Sequence, residues 1–187
     1  MNQWDKYFLN ICRMVASNSK CLSRQIGAIL VRDNIVIATG YNGPPRGMPR
    51  CDKRWGDISD PLAKEPSERL NDAVASRKNV CPRQALGYTS GERLDLCPAV
   101  HAEVNCITSA ARLGVSVKGS MLYMNAQIPG SNCMGVLVNA GVTCVIITDL
   151  NPSTKLALSI LKHSNTTVRT FEGKTLNPLR HLEEVEM

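Results

Sequence analysis

Aromatic side chains are scarce in this 187-residue chain, at 4% of the total, and histidine is scarcer still, with three residues. Reading single-stranded nucleic acid by base stacking needs an aromatic platform, and so small a share offers no obvious one. No apolar run approaches the roughly 20 residues of a membrane-spanning helix. No internal repeat and no low-complexity tract occurs, which sets repeat architectures aside. The first residues, MNQWDKYFLNICRMVAS, set Asp5 and Lys6 among apolar side chains and lack the apolar stretch of a secretory leader. They are therefore expected to belong to the fold. A cytoplasmic protein with no membrane partner is the consequent expectation. In a reducing compartment its eight cysteines point to metal or burial before disulfides.

What is present is ordinary globular material: 43% apolar and 20% charged residues, in a length that suits one domain with a sizeable core. A single domain over residues 1–187 is expected. The net charge of +6 is uneven. Residues 1–93 carry 15 Lys and Arg against 9 Asp and Glu, whereas residues 94–187 are balanced at seven each. A basic N-terminal half suits an anionic ligand, a small phosphorylated molecule or nucleic acid.

Trp4, Tyr7, Phe8, Ile11, Cys12 and Val15 recur at helical spacing and predict an amphipathic helix over about 3–17. IGAILV (26–31) and NIVIATGY (34–41) read as strands joined at Asp33-Asn34 by a tight turn. Residues 44–98, rich in Pro, Gly and charge, read as an irregular insertion. Helices are predicted over 101–113, 133–140 and 153–164, the first two closed by Gly114 and Gly141. Strands are predicted over 120–125, 143–148 and 166–171. The order α-β-β-α-β-α-β-α-β implies an α/β fold whose later strands run parallel, with helices on the sheet faces.

The chemistry concentrates at two helix starts. His101 and Glu103 open one helix, and Pro129-Gly130-Ser131-Asn132-Cys133 opens the next. Loops at the carboxyl ends of parallel strands are where such sheets place their sites. A helix N-terminus favours a thiolate. A zinc ion with three protein ligands keeps a fourth position for water and lowers that water's pKa to about 7. A nearby carboxylate that is not a ligand can then carry the proton. Alone, a His beside a Glu, or one Cys, is usually structural; the joint arrangement carries the weight.

CPAVHAEVNCITSAARLG…LYMNAQIPGSNCMGVLVNAGV resembles the deoxycytidylate deaminases of the cytidine deaminase superfamily. SRQIGAILVRDNIVIATGYNGPPRG (23–47) adds the hairpin and Gly-Tyr-Asn-Gly turn of that family, so the likeness covers roughly residues 3–150. It implies a three-layer αβα sandwich with a mixed central sheet. It also implies hydrolysis of dCMP to dUMP and ammonia, His101 and Cys133 as ligands of a catalytic Zn2+, and Glu103 as the proton shuttle. A homo-oligomer and control by dCTP or dTTP are implied by the same likeness. One residue departs from it. The family motif is Pro-Cys-x-x-Cys, and Gly130 stands where the first thiol is expected. Glycine has no side-chain donor, and the oxygens of Ser131 and Asn132 are poor zinc ligands beside a thiolate. Cys106 falls about 140° further round the helix than His101, which argues against its replacing the missing ligand.

Cys51, Cys81 and Cys97 lie in the insertion, where a structural zinc completed by Cys21 would order an irregular segment. Members of the resembled family often carry a second, structural zinc here. The alternative is four independent buried thiols. Cys12 and Cys144 are expected in the core. Asn42 is by itself turn chemistry, and by the resemblance a contact to sugar or base. Arg24 is a candidate for the 5′-phosphate, since a guanidinium offers a fork of five donors; otherwise it is solvated. Three functions compete: a zinc nucleotide deaminase, a catalytically impaired nucleotide-binding or regulatory relative, and a deaminase acting on bases within RNA or DNA.

Overall fold

The structure, a computed structural model, describes residues 1–54, 80–89, 91–151 and 154–178. Asn2 caps the first helix, α1 (Gln3–Ala16), by accepting the Asp5 N–H at 2.7 Å on its side chain. Phe8, Leu9, Cys12 and Ala16 form the buried stripe. Trp4 and Tyr7, placed on that stripe by sequence, are instead half exposed; Trp4 stacks on Phe8 from outside at 5.6 Å.

Strands β1 (Gly27–Arg32) and β2 (Ile35–Tyr41) form a hairpin in which Asp33 and Asn34 both have positive φ, 53° and 59°. Two such residues make the turn whose twist matches paired strands. Of the insertion over 44–98, residues 55–79 and 90 lie outside the described residues. The remainder holds a short helix, α2 (Pro82–Ala85), and a 3₁₀ turn at Leu94–Leu96. Regular structure then returns with α3 (Ala102–Arg112), β3 (Met121–Met124), α4 (Ser131–Asn139), β4 (Cys144–Ile147), α5 (Lys155–Lys162) and β5 (Thr167–Thr170). Positive-φ Gly114 and Gly141 follow α3 and α4 as expected.

The sheet order is β2-β1-β3-β4-β5. β1 runs antiparallel to both β2 and β3, while β3, β4 and β5 are parallel, so the sheet is mixed. Alternation along the strands sorts the core onto two faces. Ile29, Val31, Tyr123 and Ile146 pack with Phe8, Cys12 and Phe171 on the α1 side. Ala28, Leu30, Leu122, Met124, Val145 and Ile147 pack with Cys106, Met134 and Leu158 from α3, α4 and α5. Three layers, αβα, result.

Two glycines set the layer spacing. A Cβ at Gly27 would lie 2.2 Å from the Cys12 carbonyl oxygen, and one at Gly40 would lie 2.3 Å from the Cys106 nitrogen. Each lets a helix backbone press directly on a strand. On the α1 side, Arg169 of β5 donates two hydrogen bonds of 2.9 Å to the buried Asp5 carboxylate. Cys12 is fully buried as expected; Cys144 is only partly so, because it starts β4 at the sheet margin.

Candidate active site

His101 is the N-cap of α3, with extended backbone angles of −68° and 156°. The Asn105 side chain ties that helix start to the sheet by donating to the Tyr41 carbonyl at 2.8 Å and the Val100 carbonyl at 3.3 Å. Reciprocal backbone bonds between Gly43 and Val100, at 3.1 and 2.8 Å, return the insertion to the end of β2 just before His101. The loop after β3 delivers Gly130 as the N-cap of α4, with φ −62° and ψ 163°, and Cys133 in the first turn. Both helix starts therefore face one place, the carboxyl end of the parallel strands, as the sequence predicts.

The side chains meet there. His101 Nδ1 lies 3.3 Å from Cys133 Sγ, and ligand atoms of His101, Glu103 and Cys133 all fall within 4.8 Å of one another. His101 is exposed, whereas Glu103 and Cys133 are buried. Burial pushes the Glu103 carboxyl above the ordinary carboxylate range. Its own backbone N–H, His101 and a hydrogen bond from the Cys133 thiol oppose that shift. The Cys133 thiol is pushed up to about 12, first by burial and then by the Glu103 carboxylate. A nitrogen, an oxygen and a sulfur donor at this spacing fit a borderline-soft divalent cation such as Zn2+.

The three line a cleft of about 760 Å³, a size suited to a nucleotide-sized molecule. Its opposite wall is the loop before β1, carrying Cys21, Ser23 and Arg24. Arg24 is exposed at that wall. Asn42 also lines the cleft, yet its carboxamide already binds the loop: Oδ1 accepts from the Ile26 N–H and Nδ2 donates to the Arg24 carbonyl, both at 2.8 Å.

Asn125 at the end of β3 repeats this one residue further along, accepting the Gly27 N–H at 2.7 Å and donating to the Gln25 carbonyl at 3.4 Å. Ser19 completes the clamp by donating to the Asn42 carbonyl at 2.7 Å and accepting, through its own carbonyl, the Gln25 amide. Sequence reasoning missed Ser19 and Asn125. The available signal for Asn125 was a polar, strand-averse residue closing the apolar run LYM.

The remaining cysteines divide. Cys106 is buried with its thiol donating to the Ala28 carbonyl at 3.7 Å, so it serves the α3–β1 packing and not the ligand set. Cys51 is buried beside Cys21 and Cys97. Burial first and those two neighbours next push its thiol up to about 11, against the Arg54 guanidinium, which hydrogen-bonds it. Cys81 is buried. Among the described residues, His101, Glu103 and Cys133 are the one group with ligand atoms within 4.8 Å of one another, and Cys51 has Cys21 and Cys97 as neighbours at looser spacing.

A mixed sheet that sets a His-x-Glu and a cysteine at the starts of successive helices, over a nucleotide-sized cleft, defines the zinc-deaminase class of site. The chain belongs to the family described as the cytidine and deoxycytidylate deaminase zinc-binding region, whose model matches residues 2–149. It is 32% identical over 143 residues to the deoxycytidylate deaminase of Schizosaccharomyces pombe, covering 76% of this chain and 36% of that protein. It is 30% identical over 168 residues to the Saccharomyces cerevisiae deoxycytidylate deaminase, covering 90% and 45%. The chain thus spans less than half the length of both yeast relatives. The crystal structure of dCMP deaminase from the cyanophage S-TIM5, in complex with dCMP and dUMP, superposes with a TM-score of 0.61 at 20% identity. That match covers 91% of this chain and 98% of the other.

Proposed function

We propose that this chain catalyses the hydrolytic deamination of dCMP to dUMP and ammonia in the cleft between α3, α4 and the loop before β1. The observation that carries the reading is the convergence of His101, Glu103 and Cys133 within 4.8 Å at two helix N-termini in that cleft. The printed names of the yeast relatives, and the nucleotides bound in the cyanophage structure, support it. A zinc ion held by His101 and Cys133 would supply an acidified water at neutral pH. Water oxygen joins the base at C4, the C4–N bond breaks and ammonia leaves. Glu103 carries the proton from the water towards the departing nitrogen, general acid–base work contributing about 10²–10⁴-fold. Arg24 faces the 5′-phosphate, and Asn42 orders the Arg24–Ile26 segment while keeping one N–H for the sugar or base.

The domain acts as one unit over residues 1–187 in a homo-oligomer in the cytoplasm, open to control by dCTP or dTTP. A structural Zn2+ among Cys21, Cys51 and Cys97, with Cys81 as its fourth ligand, is part of the proposal, supported by the place of Cys51 beside the first two. Cys81→Ser and Cys97→Ser should each release metal and lower thermal stability; full metal content and stability in both would mean merely buried thiols.

Gly130 favours a second reading, a nucleotide-binding protein with impaired catalysis. The separating experiment measures ammonia release and equilibrium binding for dCMP on the same zinc-supplemented protein. Turnover supports deamination. Binding without turnover supports the second reading, and neither would overturn both.

A further inference from the structure

Gly130 leaves the metal site one donor short, and the packing around Cys133 supplies a replacement. We infer that Glu103 is itself the third protein ligand of the metal, in the place a side chain at position 130 would otherwise take. This deepens the deaminase reading and rests on it.

Four observations lead there. Gly130 caps α4 in extended conformation and contributes no side-chain atom. Glu103 is 4% exposed, so its carboxylate is largely removed from bulk water. Nitrogen and sulfur bonded to one tetrahedral zinc, at about 2.0 and 2.3 Å, lie about 3.5 Å apart. His101 Nδ1 and Cys133 Sγ are 3.3 Å apart, and the carboxylate falls within the same 4.8 Å sphere. The other nearby thiol, Cys106, is committed to the Ala28 carbonyl.

Charge balance argues the same way. Two thiolates and a neutral imidazole offset both charges of a divalent cation. With position 130 a glycine, one thiolate remains, and a second anion must come from elsewhere. Glu103 is the buried carboxylate within reach. Bound through one oxygen, it restores neutrality and keeps its second oxygen for the proton. The arrangement costs speed, because a carboxylate anchored to the cation is a weaker base than one free of it.

Zinc affinity measured by chelator competition tests this in the unaltered chain, in Glu103→Ala, Gly130→Cys and the double variant. Cys133→Ser sets the background from the other thiols. Losing a ligand should weaken binding more than about 100-fold, beyond the roughly 10–100-fold typical of an outer-shell partner. In the Gly130→Cys background, the same Glu103→Ala change should cost about 10-fold or less, since a thiolate then fills the position. Glu103→Gln, which keeps the volume, serves if the alanine variant fails to fold and should also lose metal. The Co2+-substituted protein gives a second readout, with its ligand-field spectrum expected to change on Glu103→Gln. Unchanged affinity in Glu103→Ala and Glu103→Gln would overturn the inference, as would an equal loss in both backgrounds. If the unaltered chain binds zinc here and turns over dCMP while the Glu103 variants keep full affinity, the inference fails and the deaminase reading stands; if the unaltered chain binds no zinc here, both fail.

Discussion

Replacing Gly40 by Ala tests whether close backbone packing positions the site. The new Cβ would meet the Cys106 nitrogen at 2.3 Å and the Ala102 carbonyl oxygen at 2.5 Å, both backbone atoms of α3. Ordinary contact begins at 3.4 Å, so the helix must retreat by about 1 Å. Overpacking of this kind costs about 1–3 kcal/mol. Restricting the unfolded chain returns about 0.4–1 kcal/mol, leaving a net loss centred on about 1.3 kcal/mol and no more than about 2.6 kcal/mol. The retreating helix carries His101 at its N-cap and Glu103 in its first turn. A 1 Å misplacement there can cost about 10²-fold in rate. Urea unfolding should show a lower midpoint at unchanged slope, and zinc affinity and dCMP turnover should fall with it. Gly43→Ala is the control: its nearest neighbour is the Tyr41 ring at 3.7 Å, and stability should change by less than about 0.5 kcal/mol. If Gly40→Ala matched this control in stability, zinc affinity and turnover, α3 would not be held by that contact.

Gly130→Cys should fold without strain, since φ −62° and ψ 163° suit any residue, and should raise both bound zinc and dCMP hydrolysis; no gain in either refutes the reading of position 130 as a missing ligand. Asn125→Ala strips the partners from the Gly27 N–H and the Gln25 carbonyl, at about 1–3 kcal/mol for a buried group left unpaired. Because the freed loop carries Arg24, KM for dCMP should rise more than kcat falls, and an unchanged KM counts against the clamp. Alkaline stability follows from two buried acids. Burial raises the Cys12 thiol above its ordinary 9.0, and burial with the Asp5 carboxylate raises Tyr123 from 10.0 to about 12. Above pH 9 the unfolded chain has released protons that the folded chain retains, so stability falls as pH rises. Urea midpoints should decline from about pH 9 to 12, less steeply in Cys12→Ala; a flat profile refutes the assignment.

Much of the frame was legible in the sequence because its signals are local. Asp33-Asn34 specifies a turn with two positive φ angles, Gly114 and Gly141 specify helix ends, and the unbroken apolar runs in IGAILV and TCVIIT specify strands buried on both faces. His101, Glu103 and Cys133 were legible for the same reason, since each sits at a fixed offset from a helix start. What escaped depends on distant partners. Trp4 and Tyr7 have the spacing of a core stripe, but the width of the stripe that α1 buries is decided by the sheet beneath it. Asn42 reads as turn chemistry, and only the fold brings the Arg24–Ile26 backbone to its carboxamide. Whether the scattered thiols converge depends likewise on chain paths that spacing does not encode.

The scaffold of the site is held by polypeptide alone, which bears on how a ligand-deficient site can persist. Asn105 fixes the start of α3 to Tyr41 and Val100, Asn42 and Asn125 fix the opposite wall, and Gly40 seats α3 on β2. None of these uses a metal bond. The N-cap of α4 needs only an extended residue whose carbonyl accepts the Met134 N–H, at 2.8 Å, and Gly130 meets that need. Loss of a thiol at this position therefore removes a ligand without removing a structural contact made by the backbone. Removing the metal at His101 and Cys133 is therefore expected to leave these two helix starts in place, unlike in small zinc domains that are unfolded without their ion. Glu103, its carboxylate within 4.8 Å of the Cys133 sulfur, is the group we infer takes up part of the lost coordination, at the expense of its freedom as a base.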